Sequence, residues 1–221
     1  LGWAARPGES HALQVLRTKL LPQVADFGQD TALRDDARQR ALAWLANPTT
    51  LGDDLRDPVL STAAATSPDG DAPALFDSLL AALRASTQRP ERLDLLTALG
   101  HFRQPALAER ARALLLAPWL DLRESLAPLL NAQVTDRHTR DEALGFLARH
   151  HAALVQRMGR EAAGGLPRFF KAACNAEEAH RIEAAFAPHA ARYPGGQARL
   201  KGTLDAVRLC SAWQAQQASG L

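Results

Sequence analysis

Residues that favour β-strands are scarce in this chain. Alanine occurs 45 times and leucine 36 times, together 81 of 221 residues, whereas there are 6 valines and 1 isoleucine. Alanine and leucine have high helix propensities, while β-branched and aromatic residues are the ones that fill a pleated sheet. Aromatic residues make up only 5% of the sequence, so a large sheet has little from which to form. The composition predicts an all-α fold.

Apolar residues at spacings of three and four, separated by capping and breaking residues, divide the chain into roughly a dozen predicted helices. The first is predicted from about His11 to Asp26, with a left-handed stop at Gly28. Its predicted apolar side consists of Leu13, Leu16, Leu20 and Val24. Later helices are predicted to begin after a cap or at a first-turn proline, at Asp30, Asp71, Pro90, Pro105 and Asn175.

Further helices are predicted in the second half of the chain. One helix is predicted to carry Leu144, Leu147, His151 and Leu154, and the next to carry Leu166, Phe169, Phe170 and Ala173. Glu178, three residues after Asn175, resembles the second member of a capping box. The last helix is predicted to bury Leu200, Leu204, Val207, Cys210 and Trp213.

The predicted helices follow one another as helix–turn–helix pairs at intervals of about 35 to 45 residues, a spacing typical of HEAT and armadillo repeats. No Gly/Ser linker or block of charge divides the chain, so residues 1–221 are predicted to form a single helical domain. The predicted fold is an all-α, irregular superhelix of roughly a dozen antiparallel helices stacked as HEAT-like or armadillo-like pairs. A compact helical bundle is the alternative, and it needs a common centre for all helices.

Charge and hydropathy exclude two classes of partner. The formal net charge is +2 with acidic and basic residues interspersed, so no basic stripe for nucleic acid is present. A helical DNA-repair solenoid is therefore disfavoured. Arginine (23) far exceeds lysine (3), which together with abundant alanine indicates a GC-rich bacterial genome. The mean hydropathy is −0.21, and the longest apolar run, residues 114–120, is far shorter than the roughly 20 residues of a membrane span. We expect a soluble protein, cytoplasmic or periplasmic, that contacts neither nucleic acid nor membrane.

The motifs of catalysis are missing. None of the seven histidines is followed by glutamate, as the zinc motif H-E-x-x-H requires; these are His11, His101, His138, His150, His151, His180 and His189. The sequence also lacks G-x-S-x-G, C-x-x-C and a phosphate-binding glycine loop. We predict no catalytic residue and no metal ligand in this chain, and the residues that touch a substrate remain unassigned. The histidines are expected at the surface or the core edge, and the four tryptophans are expected to be packing anchors.

Two cysteines, Cys174 and Cys210, lie 36 residues apart. Two cysteines in a chain of this length do not make a disulfide framework. Pairing is open, but buried apolar thiols are the favoured interpretation. The cysteines leave the cellular compartment undecided.

The opening motif Leu1-Gly2-Trp3, followed by Gly8-Glu9 and Leu16-Arg17, resembles the start of the C-terminal helical domain of the aminopeptidase N family. That family includes the puromycin-sensitive and endoplasmic-reticulum aminopeptidases. The resemblance continues in order at Gly28, Ala37 and Trp44, at Asp54-Leu55-Arg56 with Val59, at residues 92–100 and 105–114, at Phe146-Leu147, at Asn175-Ala176-Glu177 with Phe186, and at residues 204–213. Asp205 stands where the family has glutamate, as in a divergent bacterial member.

The resemblance implies that zinc and the G-x-M-E-N substrate loop belong to a preceding catalytic domain, because neither the loop nor a zinc motif occurs in these 221 residues. Residues 1–221 would then enclose the active-site chamber and help to admit and hold peptides while the catalytic part removes their N-terminal residues. The implied partners are the catalytic domain of the same polypeptide and peptide substrates. The chain begins at Leu1 and its only methionine is Met158, so we expect a piece of a larger protein. The alternative is a free-standing HEAT-like scaffold for protein–protein interactions.

Overall fold

The computed structural model describes residues 2–4 and 6–219, and these form twelve α-helices and three 3-10 helices without any strand. The α-helices are α1 (His11–Asp26), α2 (Thr31–Ala46), α3 (Asp53–Ala65), α4 (Ala72–Ala85), α5 (Arg89–Gly100), α6 (Pro105–Ala113), α7 (Leu122–Thr135), α8 (Arg140–Arg149), α9 (His151–Met158), α10 (Arg160–Ala163), α11 (Ala176–Ala190) and α12 (Gly196–Ser219). The 3-10 helices are Pro48–Thr50, Leu114–Leu116 and Leu166–Phe170. The predicted all-α class is confirmed. Within the described ranges, no helix is both long enough and apolar enough to cross a membrane.

Contacts between Cα atoms divide the chain into two compact units, Leu1–Ala111 and Arg112–Leu221. In the first unit, α3 lies against α1, α2 and α5, and α5 also contacts α4. In the second unit, α7 contacts α8 and α9, and α11 contacts α8 and α12. Consecutive helices therefore pack on one another in each unit. That residues 1–221 form one domain stays a prediction.

Alanine side chains allow close packing between helices. Ala37 and Ala41 of α2 and Ala63 and Ala64 of α3 are fully buried, and α2 packs along α3. The distance between two packed helices depends on the size of the side chains at their contact, so alanine allows a close approach. The alanine-rich composition thus serves packing as well as helix propensity.

Helix α1 has the predicted bounds but not the predicted buried side. Its buried residues are Arg17, Leu21 and Ala25, whereas the predicted apolar side of Leu13, Leu16, Leu20 and Val24 is exposed. The left-handed residue after the helix is Gln29, with φ of 55°, and not Gly28 as predicted. Gly28 is required for a different reason, because a Cβ atom there would lie 2.5 Å from the carbonyl oxygen of Val24.

Two predicted helices of the second unit are divided or replaced. The helix predicted to carry Leu144 to Leu154 is interrupted at His150, which separates α8 from α9. Both pieces contact α7, but α8 also packs on α11, while α9 packs on α10 and on the 3-10 helix Leu114–Leu116. The helix predicted near Leu166 is the 3-10 helix Leu166–Phe170, confined between Gly165 and the Asn175 cap of α11. Tertiary packing overrides local periodicity in both places.

The tryptophans divide evenly between core and surface. Trp3 and Trp44 are fully buried, as predicted for packing anchors. Trp119 and Trp213 are exposed, so the prediction is wrong for these two. Trp213 lies on α12 beyond Val207, the last residue of that helix to be fully buried.

Candidate functional site

The structure brings together two histidines that are distant in sequence. His151 of α9 is buried, and its ring stacks on that of His189 in α11, with 4.0 Å between ring centroids and 12° between planes. Burial lowers the pKa of His151, and the charges of His189 and Arg192 lower it further. Across residues 2–4 and 6–219, no group of three or more His, Cys, Asp or Glu side chains is placed to hold a metal ion. The two stacked rings form a packing contact in which His151 is buried and His189 is half-buried.

The residues of the opening motif meet around Arg17 of α1. The Arg17 side chain is 2% exposed, and its guanidinium donates to the carbonyl oxygen of Gly2 and to both carboxylate oxygens of Glu9. Trp3 is fully buried, and its Nε1 donates to the carbonyl oxygen of Leu33 in α2 over 3.0 Å. We call Gly2, Trp3, Glu9 and Arg17 the N-terminal lock. Leu1, the first residue of the motif, lies outside the described residues.

A tight turn places Glu9 in this lock. Gly8 has φ of +77°, and the Glu9 amide donates to the carbonyl oxygen of Arg6 over 3.0 Å. Proline followed by a left-handed glycine is typical of a type II turn, and Pro7-Gly8 fits that pattern. Ser10 then caps α1 by accepting from the Leu13 amide. Hydrogen bonds from the Arg17 side chain and the Arg6 amide lower the pKa of Glu9, so the ion pair is present at neutral pH.

Arg56, from the Asp54-Leu55-Arg56 motif, joins three helices of the first unit. Its side chain is buried, Nε donates to Asp94 of α5 over 2.6 Å, and Nη1 donates to Asp53 over 2.6 Å. The guanidinium carbon lies 5.9 Å from the centre of the Trp44 ring in α2, within the range of a cation–π contact. Arg56 therefore links α3 to α2 and α5.

Arg140 joins two helices of the second unit to its own helix, α8. Its Nη1 donates to Glu178 of α11 over 2.5 Å, and its Nε and Nη2 donate to the carbonyl oxygens of Val134 and Thr135 at the end of α7. The Glu178 amide donates to the Asn175 side chain over 2.8 Å, which confirms half of the predicted capping box. The other half differs, because Glu178 accepts from the Cys174 amide over 2.9 Å while its second oxygen is bound to Arg140.

Cys174 and Cys210 form a disulfide, with their Cα atoms 5.1 Å apart. The expectation of two buried free thiols is therefore wrong. Cys174 follows the 3-10 helix Leu166–Phe170, against which α12 packs, so the fold brings Cys174 close to Cys210 of α12. A separation of 36 residues in sequence carries no information about this proximity.

The family of the chain follows from comparison with known proteins. The family model described as the ERAP1-like C-terminal domain matches residues 1–209, a range that contains the N-terminal lock, Arg56 and the Arg140–Glu178 pair. None of the curated proteins compared with the chain matches it. The family match agrees with the resemblance read from the opening motif, and it covers both compact units up to one residue before Cys210. This chain belongs to the family of C-terminal domains of ERAP1-like aminopeptidases.

Proposed function

We propose that this domain encloses the active-site chamber of a zinc aminopeptidase and helps to admit and hold peptide substrates, while a preceding catalytic part removes their N-terminal residues. The observation that carries the proposal is the family match over residues 1–209. The parent enzyme, its zinc and its peptide substrates are all parts of this proposal.

The roles of the family-like residues support a domain that acts through its shape. Glu9 and Arg17 are bound to each other, Arg56 is bound to Asp94, and Arg140 is bound to Glu178. Arginines that are buried and already paired are not available to bind a substrate. The resemblance therefore marks residues that hold helices in place, as a domain that forms the wall of a chamber requires.

The zinc of the parent enzyme does not fit the residues described here. Zinc requires three or four ligands from histidine, cysteine or carboxylate side chains. The described part of the chain holds no such group, and both cysteines are in the disulfide. No chemical step is therefore assigned to this domain.

Enclosure contributes to peptidase chemistry in two ways. A closed chamber excludes water and strengthens the electrostatic interactions inside it. Closure also selects the substrates that reach the catalytic groups, and opening often limits turnover. A helical wall can supply both effects without a catalytic residue of its own.

Deletion of residues 1–221 from the parent enzyme tests the proposal. Hydrolysis of an N-terminal residue from peptides of graded length would be measured with the intact and the truncated enzyme, with zinc content as a control for the catalytic part. We expect the isolated chain to be inactive and the truncated enzyme to lose its discrimination between peptide lengths. An unchanged length profile at full zinc occupancy contradicts the proposed role.

A further inference from the structure

The first helix of the domain carries an uncovered apolar stripe. Leu13, Leu16, Leu20, Val24 and Phe27 are 43–76% exposed, and we call these five residues the α1 stripe. At about 100° per residue, they fall within about 80° on one side of the helix and extend over about 21 Å. The charged residues of α1 all fall outside this sector. Exposed apolar patches are typical of surfaces that contact another polypeptide.

The N-terminal lock fixes the start of the domain beside this stripe. On the helical wheel Arg17 lies about 20° from the edge of the α1 stripe, and its guanidinium holds the carbonyl oxygen of Gly2. Trp3 is anchored at the same place by its bond to Leu33 of α2. The matched family is that of a C-terminal domain, so the preceding part that the proposed function requires would lead towards Gly2, whose carbonyl oxygen is bound beside the stripe.

Two kinds of surface are candidates to cover the stripe, and their requirements differ. A second copy of the chain would need a stable interface of about 20–30 residues on each side, whereas the stripe has five side chains. A tethered partner needs far less contact, because a short linker gives an effective concentration in the millimolar range. The small size of the stripe and its position beside the lock both favour the tethered partner.

We propose that the α1 stripe is the face on which an apolar surface of the preceding part of the aminopeptidase docks. The proposal rests on the proposed function, because it requires that preceding part. It goes further by naming the helix and the side chains that fix the orientation of this domain. In this arrangement the N-terminal lock fixes where the preceding polypeptide leads into this domain. The α1 stripe fixes which side of the domain faces the catalytic part.

Cysteine labelling tests the docking face directly. The native cysteines of this chain are both in the disulfide, so Leu16→Cys introduces a free thiol within the stripe. The matched control is Leu42→Cys on α2, another exposed leucine of the same unit but outside the stripe. The rate of maleimide labelling at each position would be measured by peptide mass spectrometry in the intact parent and in residues 1–221 alone. Leu79 is fully buried, so slow labelling of Leu79→Cys in both proteins verifies that they are folded.

We expect labelling at Leu16→Cys to be slower by about tenfold or more in the parent, a ratio that corresponds to roughly 1.4 kcal/mol of protection. Labelling at Leu42→Cys should be equal in the two proteins. Equal labelling of Leu16→Cys in both overturns the inference, as does protection that appears in the isolated chain together with a dimer on size-exclusion chromatography. Labelling does not depend on activity. If the stripe is protected but deletion of residues 1–221 leaves the dependence of hydrolysis on peptide length unchanged, only the proposed function is contradicted.

Discussion

Two ion pairs join α8 to α11, one buried and one exposed. Their contributions to the free energy of unfolding can therefore be compared at one interface. Arg140 and Glu178 are both buried, whereas Arg181 and Asp141 join the same two helices at the surface with 3.0 Å between their charged atoms. Removing one partner of a buried pair costs about 3–5 kcal/mol, because the other charge stays buried without its counter-charge. An exposed pair contributes about 0–1 kcal/mol.

We therefore expect Arg140→Met to lower the free energy of unfolding by about 3–5 kcal/mol. Arg181→Met, which removes the same kind of side chain from the same interface, should lower it by less than about 1 kcal/mol. Urea denaturation followed by circular dichroism measures both values. Equal losses for the two variants would show that the helices, and not the buried pair, carry the stability of this interface.

His151 makes the stability of the second unit depend on pH. Its pKa lies below the ordinary value of 6.5 in the folded protein, chiefly because of burial and then because of His189 and Arg192. The unfolded chain binds this proton more readily, so protonation below pH 6.5 favours unfolding. The folded protein should therefore lose stability as the pH falls through this range, by up to about 1.4 kcal/mol per pH unit.

His151→Phe keeps an aromatic ring beside His189 but removes the titrating group. Denaturation at pH values between about 7.5 and 5.5 should show a smaller decrease in stability for this variant than for the natural chain. His180→Gln, at an exposed histidine of α11, should retain the full decrease. If His151→Phe retains it as well, another group is responsible for the pH dependence.

At the scale of elements, the disulfide connects the turn before α11 to the middle of α12. Beyond Val207, the apolar residues Leu209 and Trp213 of α12 are exposed, and Arg208 pairs with Glu183 of α11 over 3.1 Å at the surface. A cross-link of this kind stabilises a protein by about 2–4 kcal/mol. Disulfides persist in oxidising compartments, so the stability of α12 depends on where the protein is located.

Reduction of the Cys174–Cys210 disulfide should lower the urea midpoint and accelerate hydrogen exchange in the last turns of α12. The double variant Cys174→Ser/Cys210→Ser should show the same loss and respond no further to reductant. Hydrogen exchange mass spectrometry on peptides from α12 measures the local effect. Unchanged exchange in these peptides after complete reduction would show that packing on α11 alone holds the helix.

Local signals in the sequence predicted where helices begin and end. Asp30 and Asn175 cap α2 and α11 as expected, and α1 has its predicted bounds. The buried face of α1 was not predictable from spacing, because it includes the charged residue Arg17, which is paired with Glu9 and bound to Gly2. The leucines on the other side had the right period for a core but are exposed.

The contacts of the candidate site join residues that are far apart in the sequence. Arg140 binds Glu178, and His151 stacks on His189, each across 38 residues. Arg140 has no local signature of burial, whereas His151 falls at the apolar spacing of Leu147 and Leu154, and Glu178 lies at the second position of a capping box. The resemblance to the aminopeptidase domain picked out Glu9, Arg17 and Arg56 without indicating their partners.

At the scale of the whole molecule, the two compact units share one helix. Helix α6 runs from Pro105 to Ala113, and the boundary between the units follows Ala111. Helix formation is cooperative, so a helix that continues past the boundary favours a single unfolding transition. Residues 1–221 are therefore predicted to unfold as one domain in a single transition, although each unit has a core of its own.

A core truncation in one unit tests this coupling. Leu79 of α4 is fully buried in the first unit, and Leu79→Ala should cost about 2–5 kcal/mol. If the chain unfolds as one domain, hydrogen exchange should become faster by the same factor in α4 and in the most protected amides of α7, which lies in the second unit. Leu42→Ala, at an exposed leucine of the first unit, should change neither. Faster exchange confined to residues 1–111 would mean that the two units unfold independently, and it would require the family match over residues 1–209 to span two domains rather than one.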